Sequence, residues 1–361
     1  MFEEFEKKEN VSLKNYSTIK IGGNAKVIVF PKNINELIEI LKIIKKNKQK
    51  YIILGNGSNI LFPDEFFDGV VVSLKNINHI EKKGKFVYVG AGVNLFALNF
   101  SLANFGLSGL EWSYGIPASM GGFVIMNGGC FEHEIGEFVE EVLVLRDDKL
   151  EILKRENLLF EYRNSNLRKE KYIVLSVKLR LFKEKTQKIR EKMQFFYDKK
   201  KNGQPCDLPS LGSVFKRIAA KETIYPAKII DNLGLKGVRI NGAEISKKHA
   251  GFIVNIGGAT SQDVVRLVKL VEEKLAQVGV FPEREIIVLQ DKENCCESGY
   301  TSGWWCQIVC RWKTCFRNQK GTCCFLLCRE KWWRRQTWFL CKKVGEFETF
   351  SRCQWKNKFV S

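Results

Sequence analysis

Apolar residues near the start of the chain form short runs that are interrupted by one helical repeat. The repeat covers residues 33–46, where Asn33 or Asn35 is available as the N-cap. Short apolar runs bounded by polar residues are typical of buried strands. The pattern therefore predicts a β-α-β unit that continues into further strands, with runs at 26–30, 51–54, 69–74 and 85–90.

The middle of the chain combines one helix with longer strands. A helix is predicted at about 93–105, and a glycine-rich stretch follows at 114–130. Three runs that are typical of strands come next, at 140–146, 150–154 and 172–181.

The following part contains the clearest helix of the chain. Residues 184–201 predict a helix that links two domains, and another helix begins at Pro226, because proline suits the first turn. Apolar residues at helical spacing predict a helix within 259–279, and Thr260 and Asp263 have the spacing of a capping box. Strand runs lie at 252–255 and 284–289.

Composition and charge are those of an ordinary globular protein. The 361 residues suffice for two or three domains, and 45% of them are apolar. Neither a run of 18 apolar residues nor an apolar leader occurs, so we expect a cytoplasmic protein without a membrane span. The net charge is +19, of which residues 1–291 contribute +10 (45 basic, 35 acidic). They contain no basic stripe with stacking aromatic residues, so we expect no nucleic-acid partner.

Residues 292–361 differ in composition from the rest of the chain. They hold ten of the 12 cysteines and seven of the eight tryptophans, but neither His nor Pro. A shifted reading frame through an AT-rich coding region would produce such crowding. We therefore interpret this tail as not being a selected domain, and we expect low order after about residue 291. Two alternatives stay open: a disulfide scaffold, and a zinc site formed by Cys306, Cys310, Cys324 and Cys328.

The loop Gly55-Asn56-Gly57-Ser58-Asn59 directly follows a predicted strand and is a candidate anion site. Its two glycines permit unusual backbone angles, so that consecutive N–H groups can point at one anion. Its serine and asparagine side chains can add donors. The alternative is an ordinary tight turn, and the loop matches neither the Walker A nor the G-x-G-x-x-G pattern.

The glycine-rich stretch at 114–130 is a second candidate of this kind. Such a density of glycine lets the backbone approach a flat or phosphorylated ligand closely, and a helix that starts near Ser119 would add its dipole. Turns alone are the alternative. Two anion-compatible loops in one domain favour a dinucleotide that contains a diphosphate. The glycines are Gly115, Gly121, Gly122, Gly128 and Gly129.

Three single residues are candidates for handling protons and charge. Ser213 lies in LPSLGSVFKR, Arg163 in FEYRNSN and Glu285 in FPEREIIVL. An arginine can neutralise a carboxylate or an enolate in bidentate geometry. No argument from spacing unites the three, and each alone is also explained as a surface or loop residue. His249 is either an alternative base or a structural histidine, and we interpret Cys130 as a packing residue.

Nine ordered motifs, over about residues 10–290, resemble the UDP-N-acetylenolpyruvoylglucosamine reductases of bacterial cell-wall synthesis. The short span between Arg163 and Ser213 is similar to the compact second type of that family. The motifs are LKNYSTIKIGG (13–23), LGNGSNILF (54–62), GLSGLEWSYGIPASMGGFVIMNGG (106–129), YRNS (162–165), QPCDLPSLGSVFK (204–216), AKIIDNLGLKG (227–237), GAEISKKHAGFIVN (242–255), ATSQDV (259–264) and the strand of Glu285.

The resemblance implies an α+β fold. A two-part FAD-binding domain of the vanillyl-alcohol-oxidase type would cover 1–90 and 91–185, a C-terminal α+β substrate domain 186–291, and the tail 292–361. It implies NADPH-dependent, FAD-mediated reduction of UDP-N-acetylglucosamine enolpyruvate to UDP-N-acetylmuramate, by a protein that we expect to be a monomer. A related flavin-dependent alcohol or sugar oxidase and a catalytically impaired nucleotide-binding protein are the alternatives.

The resemblance also implies roles for individual residues. Ser213 aligns with the proton donor, and Arg163 and Glu285 align with residues that stabilise or relay charge at the enolate carboxylate. Tyr162 and Lys200 align with substrate-binding positions, and no metal site is implied. The FAD diphosphate would be held by Gly55, Asn56, Gly57, Ser58, Asn59, Gly115, Ile116, Pro117, Ser119, Gly121 and Gly122.

One departure from the family pattern concerns the substrate side. Many members continue with Phe-Lys-Asn-Pro after the serine motif, whereas this chain has Phe215-Lys216-Arg217-Ile218. The departure puts an amide contact to the substrate in doubt.

Overall fold

The computed structural model describes residues 1–220 and 222–289, and beyond them only short strands. The chain forms two compact units, residues 1–290 and 291–361. No helix in the described part of the chain is long and apolar enough to cross a membrane.

The first sheet of unit 1–290 contains the predicted β-α-β unit. Its strand order is β1-β2-β5-β3, and β5 runs parallel to both β2 and β3. Helix α1 (Ile34–Lys46) connects β2 to β3, and Asn33 is its N-cap because the side chain accepts a hydrogen bond from the Glu36 N–H. The strands up to residue 90 are β1 (Lys7–Ser12), β2 (Asn24–Val29), β3 (Tyr51–Leu54), β4 (Ile60–Leu61), β5 (Phe67–Ser73), β6 (Ile80–Lys83) and β7 (Phe86–Gly90).

The second sheet is antiparallel, with the order β12-β11-β15-β7-β6. β6 and β7 thus belong to the second sheet, although they precede residue 90, where we predicted the boundary between the two parts of the FAD-binding domain. That boundary stays a prediction. The helices of this part are α2 (Leu95–Phe105), α3 (Met120–Ile125) and α4 (Asn166–Lys169). Its strands are β8 (Leu107–Ser108), β9 (Gly129–Cys130), β10 (His133–Glu134), β11 (Val139–Arg146), β12 (Lys149–Lys154), β13 (Phe160–Glu161), β14 (Asn164–Ser165), β15 (Ile173–Arg180) and β16 (Phe182–Lys183).

The third sheet follows the long helix α5 (Thr186–Gly203) and has the order β17-β20-β19-β18. Helices α6 (Pro226–Asn232) and α7 (Ser261–Gln277) belong to this part, and the predicted capping box of Thr260 and Asp263 starts α7. The strands are β17 (Ser210–Ser213), β18 (Arg239–Ile240), β19 (Ala243–Ile245), β20 (Phe252–Asn255) and β21 (Ile287–Val288).

The core beneath α7 is shared with the start of the chain. Its buried members include Leu267 and Val268 of α7, but also Ile19, Ile21 and Leu61. β21 runs parallel to β4 of the N-terminal part. The strand predicted at 284–289 is therefore shorter than expected, because its earlier residues lie outside this ladder and form only an isolated bridge at Arg284.

The unit 291–361 contains a short antiparallel sheet. The proposed zinc ligands Cys306, Cys310 and Cys328 and most of the tail lie outside the described residues, so the predictions of a zinc site, a disulfide scaffold, low order and a shifted reading frame stay predictions. The strands are β22 (Cys315–Arg317), β23 (Cys323–Leu327), β24 (Trp338–Lys343) and β25 (Glu346–Phe347).

Candidate active site

Arg163 and Glu285 form a half-buried ion pair although 122 residues separate them along the chain. Arg163 Nε donates to Glu285 Oε1 at 2.7 Å, and Arg163 Nη2 donates to the Gly129 carbonyl at 2.8 Å. The side chains are only 18% and 17% exposed. The fold therefore unites two of the three residues that spacing alone could not connect.

A tight turn between β13 and β14 presents Arg163. Its φ of +53° lies in the left-handed region, which costs a non-glycine residue about 1–3 kcal/mol. Such strain persists where the surroundings fix the residue. Here the Glu285 carboxylate and the Gly129 carbonyl hold the guanidinium.

Burial raises the pKa of Glu285 above the ordinary value of a glutamate, and the nearby Arg163 guanidinium opposes the rise. Lys216 opposes it more weakly. The carboxyl group is thus easier to protonate than an exposed glutamate. Such a group can accept and return a proton beside a fixed cation.

Ser213 ends β17, on a segment that runs beside Glu285. The Glu285 N–H donates to the Val214 carbonyl at 2.7 Å, and Phe215 and Arg284 form a β-bridge. Ser213 Oγ is half-buried and donates to the Phe215 carbonyl at 3.2 Å. The backbone thus places Ser213 and Glu285 on adjoining segments, next to the ion pair with Arg163.

The two glycine-rich loops contact each other. Asn56 Nδ2 donates to the Pro117 carbonyl at 2.7 Å. A Cβ at Gly55 would overlap the Ser119 hydroxyl, and a Cβ at Gly57, whose φ is +61°, would overlap the Tyr16 carbonyl. Only glycine therefore lets the first loop approach its neighbours this closely.

Two buried hydroxyls lie against the first loop without a hydrogen-bond partner among the described residues, namely Ser17 Oγ and Ser119 Oγ. Ser119 is the N-cap of α3, yet its side chain makes no capping bond. An unsatisfied buried hydroxyl costs about 1–3 kcal/mol. A diphosphate would supply the missing acceptors, so the residues present fit a dinucleotide. Sequence reasoning missed Ser17, because only the fold brings it beside Gly57.

Asn59 connects the first loop to the ion pair. Its Nδ2 donates to the Glu285 carbonyl at 3.1 Å, although we predicted it as an additional donor for the anion. The loop and the Glu285 segment are thus joined by a side chain as well as by the pairing of β4 with β21.

Comparison with known proteins identifies the family. The model described as "FAD binding domain" matches residues 25–149, and "UDP-N-acetylenolpyruvoylglucosamine reductase, C-terminal domain" matches 204–289. The UDP-N-acetylenolpyruvoylglucosamine reductase of Thermotoga maritima is 44% identical over 275 residues, which cover 76% of this chain and 95% of that protein. The chain belongs to the UDP-N-acetylenolpyruvoylglucosamine reductase family.

Two further reductases of this family extend the comparison. The Syntrophomonas wolfei protein is 36% identical over 288 residues, covering 79% of this chain and 95% of its own length. The crystal structure of the Thermus caldophilus reductase (MurB) superimposes with a TM-score of 0.67 at 35% identity, covering 79% of this chain and 99% of that one. The predicted α+β fold with an FAD-binding domain and a C-terminal reductase domain is confirmed, and FAD is the cofactor that the matched domain binds.

Tyr162 contacts the residue at which this chain departs from other reductases of the family. The Arg217 guanidinium lies 4.1 Å from the centroid of the Tyr162 ring, and that of Arg163 lies 4.9 Å from it. The Arg217 N–H donates to the Tyr162 hydroxyl at 3.4 Å. The Tyr162 ring thus makes a cation–π contact with both guanidinium groups. The sequence gives no signal for this contact, because 55 residues separate the partners.

Lys200 lies in α5 and is 8% exposed. Its Nζ donates to the Gly115 carbonyl at 2.6 Å, so the ammonium contacts the second glycine-rich stretch. Burial lowers the pKa of Lys200, and the Cys130 and Cys206 sulfur atoms oppose the change. The thiol of Cys130 is itself half-buried, and burial raises its pKa, which agrees with a packing residue rather than a reactive one.

Proposed function

We propose that this chain catalyses the NADPH-dependent reduction of UDP-N-acetylglucosamine enolpyruvate to UDP-N-acetylmuramate with bound FAD. The observation that carries the proposal is the half-buried Arg163–Glu285 ion pair beside the segment of Ser213, in a chain of the reductase family. We place the reaction in the cytoplasm, where NADPH is available, and we expect the protein to act as a monomer.

The cofactor would be held by the two glycine-rich loops, Gly55–Asn59 and Gly115–Gly122. Backbone N–H groups of the loops and the Ser17 and Ser119 hydroxyls would donate to the diphosphate. Bound there, FAD would supply the hydride-transfer chemistry between NADPH and C3 of the enolpyruvyl group.

Ser213 donates the proton that completes the reduction. Hydride addition at C3 places negative charge on C2 and on the adjoining carboxylate, and the Ser213 hydroxyl protonates C2. A proton from solvent then restores the hydroxyl.

Arg163 stabilises the negative charge that develops before this proton arrives. Its guanidinium has five N–H donors, and contacts with Glu285 and Gly129 use two of them in the described structure. The others can bind the substrate carboxylate or enolate, and a preorganised cation of this kind stabilises developing charge strongly. Glu285 fixes the guanidinium and, with its raised pKa, can relay a proton.

Tyr162 and Lys200 are the proposed substrate contacts. Tyr162 offers a hydroxyl and a ring next to two guanidinium groups. Lys200 offers a buried cation that would meet the substrate diphosphate, although its Nζ binds the Gly115 carbonyl in this structure.

The test is spectroscopic and kinetic. The purified full-length chain should be yellow, and it should oxidise NADPH only when the enolpyruvyl nucleotide is present. A colourless protein that FAD cannot reconstitute would contradict the proposal, and oxygen-dependent oxidation of an alcohol without NADPH would favour an oxidase instead. A chain that ends after residue 289 is the matched control: activity in this version alone would show that the tail impairs an otherwise competent reductase.

A further inference from the structure

We propose that Asn127 is a positioning residue for Arg163, an inference that rests on the proposed function. Asn127 follows α3, and its side chain is buried with only 1% exposure. Its Nδ2 donates to Glu134 Oε2 at 2.6 Å and to the Glu161 carbonyl at 3.0 Å. Its Oδ1 accepts from the Gly136 N–H at 3.0 Å. One amide thus makes three hydrogen bonds that join residues 134–136 to the strand of Glu161.

Two of these contacts lead to Arg163 by separate routes. Glu161 belongs to β13 and directly precedes the turn that carries Arg163. Glu134 is paired with Gly129 between β10 and β9, and the Gly129 carbonyl accepts from Arg163 Nη2 at 2.8 Å. The contacts form a closed ring that fixes both the backbone of the arginine and the acceptor of its guanidinium.

The backbone conformation at Asn127 does not itself require an amide side chain. The residue has a φ of +44°. Its N–H donates to the Val124 carbonyl at 3.0 Å, and the Gly128 N–H donates to the Phe123 carbonyl at 2.7 Å. This is a Schellman ending of α3, in which glycine is the usual residue at the left-handed position. Glycine would meet the backbone requirement equally well, whereas the asparagine side chain adds three hydrogen bonds that glycine cannot make.

The ring matters because it supports a residue with a strained backbone. Its φ of +53° lies in the left-handed region, and the Gly129 carbonyl is one of the two acceptors that hold its guanidinium in the described structure. Without the Asn127 amide, the turn and the Gly129 carbonyl would be free to shift relative to each other. A displacement of about 1 Å at a charge-stabilising group can slow a reaction about 100-fold.

The direct test is Asn127→Gly, which keeps the backbone conformation and removes the amide. In rapid-mixing experiments we expect reoxidation of the reduced flavin by the enolpyruvyl nucleotide to slow about 10- to 100-fold. Flavin reduction by NADPH should change less than about twofold, because Arg163 takes no part in that step. Equal losses in both half-reactions would indicate a merely structural residue and overturn the proposal.

The matched control is Asn99→Ala. Asn99 is 2% exposed, and its amide donates to the Leu95 carbonyl and to Ser113 Oγ, both at 2.9 Å, away from the ring. We expect a lower melting temperature for this variant and unchanged half-reactions. If Asn127→Gly fails to fold, Glu134→Ala is the second variant, because it removes another member of the ring. It should also slow reoxidation selectively, but by a smaller factor. Unchanged reoxidation in Glu134→Ala would then overturn the proposal.

Coupling to Arg163 gives a second, independent readout. In an Arg163→Lys background, Asn127→Gly should change neither the reoxidation rate nor the calorimetric affinity for the enolpyruvyl nucleotide by more than about twofold. If Asn127→Gly instead slows reoxidation in the Arg163→Lys background by the same factor as in the wild type, Asn127 does not act through Arg163. That result would overturn the proposal. A wild-type protein that neither binds nor reduces the nucleotide contradicts the proposed function, whereas an active wild type with an unaffected Asn127→Gly contradicts this inference alone.

Discussion

The two halves of the candidate site are built from different chemistry. The paired glycine-rich loops rely on backbone N–H groups and small hydroxyls such as Ser17 and Ser119, and their contact through Asn56 is neutral. The proton-handling half relies on the opposite charges of Arg163 and Glu285. We therefore expect the first half to determine whether the cofactor binds, and the second half to determine one chemical step after binding.

A substitution of Ser213, in the proton-handling half, should slow the reaction most. Ser213→Ala should slow reoxidation of the reduced flavin by the enolpyruvyl nucleotide about 10²- to 10⁴-fold, because a positioned proton donor contributes about that factor. Flavin reduction by NADPH should be largely unchanged. Stopped-flow absorbance of the flavin measures both steps, and Ser210→Ala in the same strand is the control. Equal losses in the two steps would remove the contrast between the halves.

The next largest effect should be in the loops. Gly57→Ala should weaken FAD binding at least about 10-fold, because the new Cβ would overlap the Tyr16 carbonyl and move the loop. Gly84→Ala is a matched control: Gly84 has a similar φ of +63° against +61°, but no atom of the described residues lies within 4 Å of the added Cβ. Fluorescence titration of the apoproteins with FAD measures the difference. Equal affinities in the two variants would show that close approach at Gly57 is not what the loop requires.

A smaller effect should depend on pH. The stability that Glu285 contributes is present below its unfolded-state pKa and is lost as pH rises through the raised native-state pKa. Glutamine does not titrate, so the free energy of unfolding of Glu285→Gln, minus that of the wild type, should increase through this pH range. The increase should be about 1.4 kcal/mol for each pH unit between the two pKa values. Urea titrations at several pH values test this, and a difference that falls with pH would mean that the ion pair outweighs burial.

The weakest effect is predicted for Ser17, whose hydroxyl lies against the first loop. This substitution should separate cofactor binding from folding. Ser17→Ala removes a buried hydroxyl that has no hydrogen-bond partner among the described residues. The free energy of unfolding of the apoprotein should therefore not fall, and should rise by up to about 1 kcal/mol. FAD affinity should nevertheless fall about 5-fold, as expected for one lost hydrogen bond of about 1 kcal/mol. The control is Ser113→Ala, because Ser113 accepts from Asn99 and donates to the Leu110 carbonyl, so its loss should destabilise the fold. A lower free energy of unfolding for Ser17→Ala would show that the hydroxyl already makes a stabilising contact in the apoprotein.

Local features were predictable from the sequence. Helix α1 and its cap, the strand at 51–54 and the capping box of α7 occur where the periodicity places them, because each depends on neighbouring residues. The strand predicted at 284–289 contracted to Ile287–Val288, because its pairing depends on the distant β4.

The site was predictable only in part. Motif resemblance pointed to Arg163, Ser213 and Glu285, but their proximity depends on contacts between segments that are more than 50 residues apart along the chain. Asn127 and Ser17 lie within motifs of the family resemblance, but nothing in the sequence distinguished them from their neighbours. An asparagine after a short helix and a serine in a loop are ordinary, and only their buried partners, or the lack of one, distinguish them.

The contact between Asn59 and the Glu285 carbonyl has a consequence for how this enzyme could diverge. A side chain of the first glycine-rich loop supports the backbone of the acidic residue, so a replacement at Asn59 would disturb nucleotide retention and protonation together. A substitution at this position would therefore alter two otherwise separable functions at once, which makes Asn59 an evolutionary constraint that both functions share.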